Sequence, residues 1–356
     1  MNLRCSLMGF LSVLLPCIGI AQVDSAKAPA PIPVKVVVVA MYEQGEDTGD
    51  APGEYQYWVE RIHLDRVLPL DAGYHHVRMN KDGVLAVLTG VATAKAAASI
   101  MALGLDPRFD LSHAYWLVAG IAGGDPADVS LGSAVWVQQV VDGDIAHELD
   151  AREIPADWPT GKVPLRRTTP YEEPADAGYG ELYDLNPVLT HWAYALTKNT
   201  PLADDDRMRE KRSHFAQAAA QRPPFVATGD EVSSATYWHG ARLDQWANAW
   251  THYYTGGKGN FMVSGMEDSG TLQSLTFLDH AGRIDRRRVL ILRTISNYDQ
   301  QPAGMTAAQS LTEQKVSRYG AYLAALEAAY AVGRPVVDAI LAHWSEYRDH
   351  LPSAAE

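Results

Sequence analysis

The chain has 356 residues, 47% of them hydrophobic, enough for one large α/β domain or two smaller ones. Against 30 Lys and Arg it carries 43 Asp and Glu, a formal net charge of −13, which argues against nucleic acid or anionic lipid as the main partner. Its two cysteines, Cys5 and Cys17, both fall within the first 21 residues, so the rest of the chain has no thiol for a disulfide, a nucleophile or a metal site.

Those first 21 residues have the make-up of an export signal. Arg4 supplies the positive end, Leu7 to Ile20 an apolar core too short for a membrane helix, and Gly19-Ile20-Ala21 a small-x-small cleavage site. Cleavage is expected near Ala21-Gln22, with delivery to a bacterial periplasm. Residues 22 to 33 alternate Ala and Pro and read as a flexible lead-in to a domain over 34–350. No later segment approaches the roughly 18 apolar residues of a membrane span.

Val34 to Ala40 is a β-branched run without helical period, a central parallel strand by type. It opens into an acidic loop holding Glu43, Glu46 and Asp47. A second strand, Val84 to Thr89, ends at Gly90 and feeds an Ala-rich helix over 92–105. A third strand, Trp116 to Ala119, runs into Gly120, Gly123 and Gly124, read as a turn that needs positive φ or close backbone approach. Its spacing is not that of a dinucleotide-binding glycine motif. Further strands are expected at 133–141, 225–228, 261–263 and 289–295. Helices are expected at 186–198, 204–221, 240–254, 267–281, 313–332 and 335–349. Residues 143 to 184 are a long irregular insertion, read as a pocket lid or a subunit contact. The whole reads as a single α/β domain with a twisted, mixed but mostly parallel sheet flanked by helices.

Ligands of such sheets sit at the carboxyl ends of the strands. There the sequence places Glu43; Thr89 and Gly90; Gly120 and Gly123; Thr228 and Asp230; Met266 and Glu267; and Asn297 and Asp299. His75-His76, His252 and His343 show no metal-ligand spacing, and no metal or cofactor is expected.

Ala119 to Gly124 resembles the glycine-rich turn of methylthioadenosine-type nucleosidases, as do Ala227-Thr-Gly-Asp230, Met266-Glu267 and the strand ending at Asn297. A closer resemblance, over roughly 34–350, is to the purine nucleoside permease family. It rests on Gly-Ile-Ala-Gly-x-Asp-Pro at 120–126, His-Glu-x-Asp-Ala-Arg-Glu-Ile-Pro at 147–155, Tyr-Trp-His-Gly at 237–240 and Met-Glu-Asp-Ser-Gly at 266–270.

The resemblance implies a nucleoside-phosphorylase-like fold binding a purine nucleoside, and a homodimer by analogy. Glu267 would hold the ribose hydroxyls with Met266 under the sugar. Thr228 and Asp230 would lead to a base pocket walled by Tyr237, Trp238 and His239. N-glycosidic cleavage is implied. Hydrolysis is favoured over phosphorolysis, because acidic residues and Trp116–Ala119 stand where the superfamily's phosphorylases place arginines. A non-enzymatic periplasmic nucleoside-binding protein serving a separate transporter is the alternative. Where the nucleosidases put aspartate after the last-strand serine, Ser296 here precedes Asn297. Either Asn297 donates to the departing base, or Asp299 acts as its acid. Glu43 joins them as a candidate catalytic group.

Overall fold

The computed structural model describes residues 29–313 and 320–353. The expected export signal and residues 22–28 of the lead-in lie outside them. In chain order the strands are β1 (Ile32–Pro33), β2 (Val36–Ala40), β3 (Arg66–Leu68), β4 (Val77–Met79), β5 (Val84–Leu88), β6 (Phe109–Asp110), β7 (Tyr115–Gly124), β8 (Ala134–Asp142), β9 (Ala146–Glu148), β10 (Lys162–Pro164), β11 (Leu182–Asp184), β12 (Val226–Ser233), β13 (Phe261–Gly265) and β14 (Val289–Tyr298). The helices are α1 (Gln56–Arg61), α2 (Thr93–Leu105), α3 (Pro187–Thr197), α4 (Asp206–Ser213), α5 (Ala241–Tyr254), α6 (Asp268–His280), α7 (Ala307–Glu313), α8 (Tyr322–Ala342) and α9 (Trp344–Tyr347). None of the described helices is long and apolar enough to cross a membrane.

Pro31–Glu356 forms one compact unit around a mixed sheet. β2 pairs in parallel with both β5 and β7, and β7 pairs in parallel with β14. Beyond that point the sheet curls. β14 pairs with β8, β8 with β12 and β12 with β13, and β13 returns to β7 through Val263–Gly124 and Ser264–Gly123. Five strands therefore close into a ring, and the last rungs of closure involve glycines.

The β-branched run of β2 is explained by burial on both faces. Val37 and Val39 join one apolar core with Ile100 and Leu103 of α2 and Leu272, Leu275 and Leu278 of α6. Val36, Val38 and Ala40 join another with Trp58 of α1, Leu189 and Trp192 of α3, and Val332, Val336 and Ile340 of α8. A strand with no solvent side has no reason to alternate, so it reads as continuously apolar.

Four expectations are corrected. The glycine run does not turn: β7 continues through it to Gly124, and none of its three glycines has positive φ. The ten-residue β14 pairs alongside it, with one irregularity at Ser296, and the missing side chains serve close approach. A Cβ at Gly120 would collide with Met41 and Glu54, and one at Gly123 with Asp299 and Ser264. The helix expected to 221 stops at Ser213, where Phe215 turns inward onto Tyr298, ring centroids 4.3 Å apart, and Ala220 bonds Pro126. Pro335 does not divide two helices but lies inside α8, whose buried Val332, Val336, Val337 and Ile340 hold it continuous. Ile32 and Pro33, placed in the lead-in, pair with Phe109 and Asp110.

Candidate active site

The carboxyl ends of β2, β7, β13 and β14 and the segment after β12 surround a cavity of about 240 Å³. Its floor is backbone and small side chains, Ile121 to Gly123 from β7 and Ser264 and Gly265 from β13. Met41 and Tyr42 after β2 and Val91 after β5 line it too, and Thr236, Tyr237 and Trp238 form a wall on the side of β12. That wall is a surface segment, with Tyr237 42% exposed. It hangs on Asp144, whose carboxylate accepts from Ser234 Oγ at 2.5 Å and the Ala235 amide at 2.6 Å. Between Ile295 and Asn297 the β7–β14 register slips by a residue, and Ser296 and Asn297 at this irregularity both line the cavity.

Two buried carboxylates face this space, Glu54 and Glu267. Glu267 stands just ahead of α6. Its Oε1 accepts from the Ala92 amide at 3.1 Å, and its Oε2 from Arg293 Nη2 at 3.1 Å. Burial raises its pKa against the opposing pull of Arg293. Glu54 arrives on the loop after β2 and accepts the amides of Met41 at 2.9 Å and Ile121 at 2.7 Å. Burial pushes its carboxyl up to about 7, with Arg293 opposing and Glu267 adding.

Beneath them Arg293 is 1% exposed. Its Nε meets Asp268 at 2.7 Å, Nη1 the Ile121 carbonyl at 3.1 Å, and Glu231 lies 3.9 Å away. Burial alone would lower its pKa, but Asp268, Glu231 and Glu267 hold it firmly charged. Glu231, wholly buried and beside Asp268, is pushed well above the carboxylate range. Arg293 is thus spent on carboxylates, and no Lys, Arg or His lines the cavity among the described residues.

Of the residues picked from sequence, Gly123, Trp238, Met266, Glu267 and Asn297 meet at this cavity. Asn297 is buried there, its Oδ1 accepting from Ser296 Oγ and its Nδ2 donating to Tyr237 Oη and the Tyr298 carbonyl, both at 3.3 Å. Asp299 lies behind the floor: its Oδ1 accepts from Ser264 Oγ at 2.7 Å, and burial lifts its carboxyl to about 8, with the Ser264 bond opposing and Asp125 adding. Gly120 sits one residue below the lining and makes room for Glu54.

The others stand elsewhere. Thr89 and Gly90 are buried at the end of β5, one step short of Val91. Thr228 and Asp230 lie within β12, which runs on to Ser233, so they are not its end. Asp230 instead accepts the amides of Gln139 and Asn260, tying β8 to the start of β13. His239 turns Nε2 to Ser310 Oγ at 2.9 Å. Glu43 accepts four amides, from Gln44, Gly53, Tyr55 and Gln56, two of them at the start of α1. It shapes the acidic loop rather than facing the cavity. No residue of 143–184 lines the cavity; Tyr171, Ala175, Ala177 and Leu182 pack on the aromatic face of α5, around Trp246 and Trp250.

Glu54 and Arg293 are the charged site residues that the sequence reading missed, and Ser264 of the floor went unmarked too. A lone arginine inside the apolar run Val289 to Ile295 was a signal of buried carboxylate partners. Glu54 gave none, because the loop that returns it is set by tertiary contacts.

The family description "purine nucleoside permease" matches residues 33–352. A protein of Schizosaccharomyces pombe described as a probable purine nucleoside permease is 31% identical over 289 residues, 78% of this chain and 82% of the relative. The purine nucleoside permease of Candida albicans is 29% identical over 264 residues, 73% of this chain but only 64% of the longer fungal protein. Among solved structures, the futalosine hydrolase of Helicobacter pylori superposes with a TM-score of 0.50 at 14% identity, covering 86% of this chain and 98% of that one.

Proposed function

The chain belongs to the purine nucleoside permease family, and from that premise we propose that it binds purine ribonucleosides in the strand-end cavity and cleaves their N-glycosidic bond by hydrolysis. The observation that carries this reading is the charge of the cavity wall: two buried carboxylates, with the nearby arginine consumed by acidic partners. Phosphorolysis needs cations to hold phosphate, whereas hydrolysis needs a base for water and acceptors for the sugar. Glu267 accepts from the ribose 2′- and 3′-hydroxyls, since one carboxylate serves two neighbouring donors. Met266 packs under the sugar, and Tyr237 and Trp238 offer ring faces to the purine. Glu54, divided between its two protonation states near neutral pH, takes the proton of the water that attacks C1′. The leader-like residues 1 to 21 support placing this chemistry outside the cytoplasm, in a periplasm.

A second reading is a nucleoside-binding protein that hands its ligand to a separate transporter. The fungal relatives' description as permeases favours it, together with a described fold that has no membrane-crossing helix. Purified protein incubated with inosine or adenosine, with and without phosphate, tests both. Free base and ribose should form at the same rate in either buffer. Ribose 1-phosphate as product would overturn hydrolysis. Saturable binding without release of base would move the protein to the carrier role.

A further inference from the structure

Departure of a purine pushes negative charge onto the base, so a hydrolase of ordinary purine nucleosides needs a proton source beside it. Of the two polar β14 residues at the cavity, Ser296 turns its hydroxyl to the Ala122 carbonyl and Asn297 Oδ1, and Asn297 has both amide hydrogens directed at Tyr237 Oη and the Tyr298 carbonyl. An amide also cannot deliver a proton. Ser264 lines the same cavity from β13, and its Oγ lies 2.7 Å from Asp299 Oδ1. Behind it Asp299 is 2% exposed, and its other oxygen, Oδ2, has no hydrogen-bond partner among the described residues.

We propose that Ser264 and Asp299 form a two-step proton donor to the leaving base, Asp299 acting through the Ser264 hydroxyl. This rests on the hydrolytic reading of the cavity. As the C1′–N9 bond breaks, its electron pair passes to the purine. With nucleoside bound, the Ser264 hydroxyl turns from Asp299 Oδ1 to the purine N7; its proton moves to N7, and a proton carried on Asp299 Oδ1 replaces it on Ser264 Oγ. The attacking water forms the C1′–O bond and gives its proton to Glu54. Ribose and neutral base leave, with Asp299 ionised and Glu54 protonated until solvent returns the proton.

The surroundings favour a protonated Asp299 at neutral pH. The charged groups around it are acidic: Asp125 at the end of β7, and Asp244 of α5 with Asp128 beyond it. Asp244 is buried, its Oδ1 has no hydrogen-bond partner among the described residues, and it is pushed up to about 9 by burial and these neighbours. Asn248 and Gln300 satisfy Asp125 and Asp244 with neutral amides. His239 precedes Gly240, whose N–H donates to the Asp299 carbonyl, but turns its Nε2 to Ser310. Gly123 is what allows the arrangement, since a Cβ there would displace both Ser264 Oγ and Asp299.

Base release from inosine and from 7-methylguanosine tests the proposal, because a purine already cationic leaves as a neutral base without a proton. Wild type should cleave both, and its kcat for inosine should fall as pH rises above about 8. Asp299→Asn and Ser264→Ala should each lose about 10²- to 10³-fold in kcat on inosine. Both should lose far less on 7-methylguanosine than on inosine, circular dichroism certifies their folding, and Ser264→Thr should recover inosine cleavage. Equal losses on both nucleosides, or no loss on inosine, would overturn the relay and leave the hydrolase standing. A wild type that cleaves neither nucleoside would overturn both.

Discussion

Glu267 is bound by its surroundings before any ligand arrives, to the Ala92 amide and to Arg293. A carboxylate held in this way presents its remaining lone pairs in a fixed direction, which suits a pair of sugar hydroxyls. Glu267→Gln keeps the shape and the acceptor Oε1 but loses the charge. Ribonucleoside binding should weaken by about 1.5–3 kcal/mol for each charge-assisted bond lost. A 2′,3′-dideoxynucleoside should bind both forms alike, as titration calorimetry can check. Equal weakening of both ligands would assign Glu267 to holding Arg293 instead. At this scale the sequence was legible where chemistry follows a strand directly, as at Met266-Glu267 and Asn297. Thr228 and Asp230 misled because their strand runs three residues further, to Ser233. Glu54 was hidden because its place depends on a return loop whose anchors, the amides of Met41 and Ile121, are far apart in sequence.

Elements were legible to the extent that burial dictates a pattern. The doubly buried β2 and the Ala-rich α2 announce themselves. The short α1 and the short strands β3, β4, β9, β10 and β11 do not, since two or three rungs leave no period to read. Breakers were over-read: Pro335 is tolerated where a helix face is deeply packed, and the glycines of β7 serve clearance rather than turning. Gly270 is a further case of clearance. α6 crosses α2 so closely that a Cβ at position 270 would run into the backbone of Thr93, which cannot yield as a flexible side chain would. Gly270→Ala should therefore destabilise by about 1–3 kcal/mol, despite alanine's better helix propensity. Urea denaturation would show it as a lowered midpoint. A raised midpoint would mean that α2 and α6 can part at little cost.

Over the whole molecule the unusual feature is how many acidic groups the fold keeps from ionising. Burial raises Asp230 to about 6, Glu54 to about 7, Asp299 to about 8 and Asp244 to about 9. For a carboxyl whose folded pKa is raised, stability is full below its unfolded value and is lost as pH rises through the folded one. These four act between about pH 4 and 9. His239, lowered by burial, works the other way, but only below its ordinary value. Salt-bridged acids with lowered pKa, such as Asp106 and Asp204, have given their stability once pH exceeds the ordinary carboxylate value. The protein should thus become steadily less stable from about pH 6 to 9, read as a falling urea midpoint. A flat or rising profile would show that the buried acids are charged in the folded state. The architecture itself, a mixed, mostly parallel sheet with helices on both faces, was legible from the order of strands and helices. Its closure into a ring was not, since the rungs joining β13 to β7 are made by residues with no pattern of their own.

That closure also decides where the cavity is free to diversify. Gly123 and Ser264 are at once the floor of the cavity and the rung that shuts the ring, so a lineage that altered them to admit a different ligand would be loosening its own scaffold. Thr236 to Trp238 make no rung of that ring, although Trp238 packs on Trp246 and Phe261. They belong to no strand or helix, stand partly in solvent and are moored through Asp144 to neighbouring Ser234 and Ala235. Thr236 and Tyr237 can therefore change while the floor stays fixed, and it is there that the cavity is free to admit a different ligand.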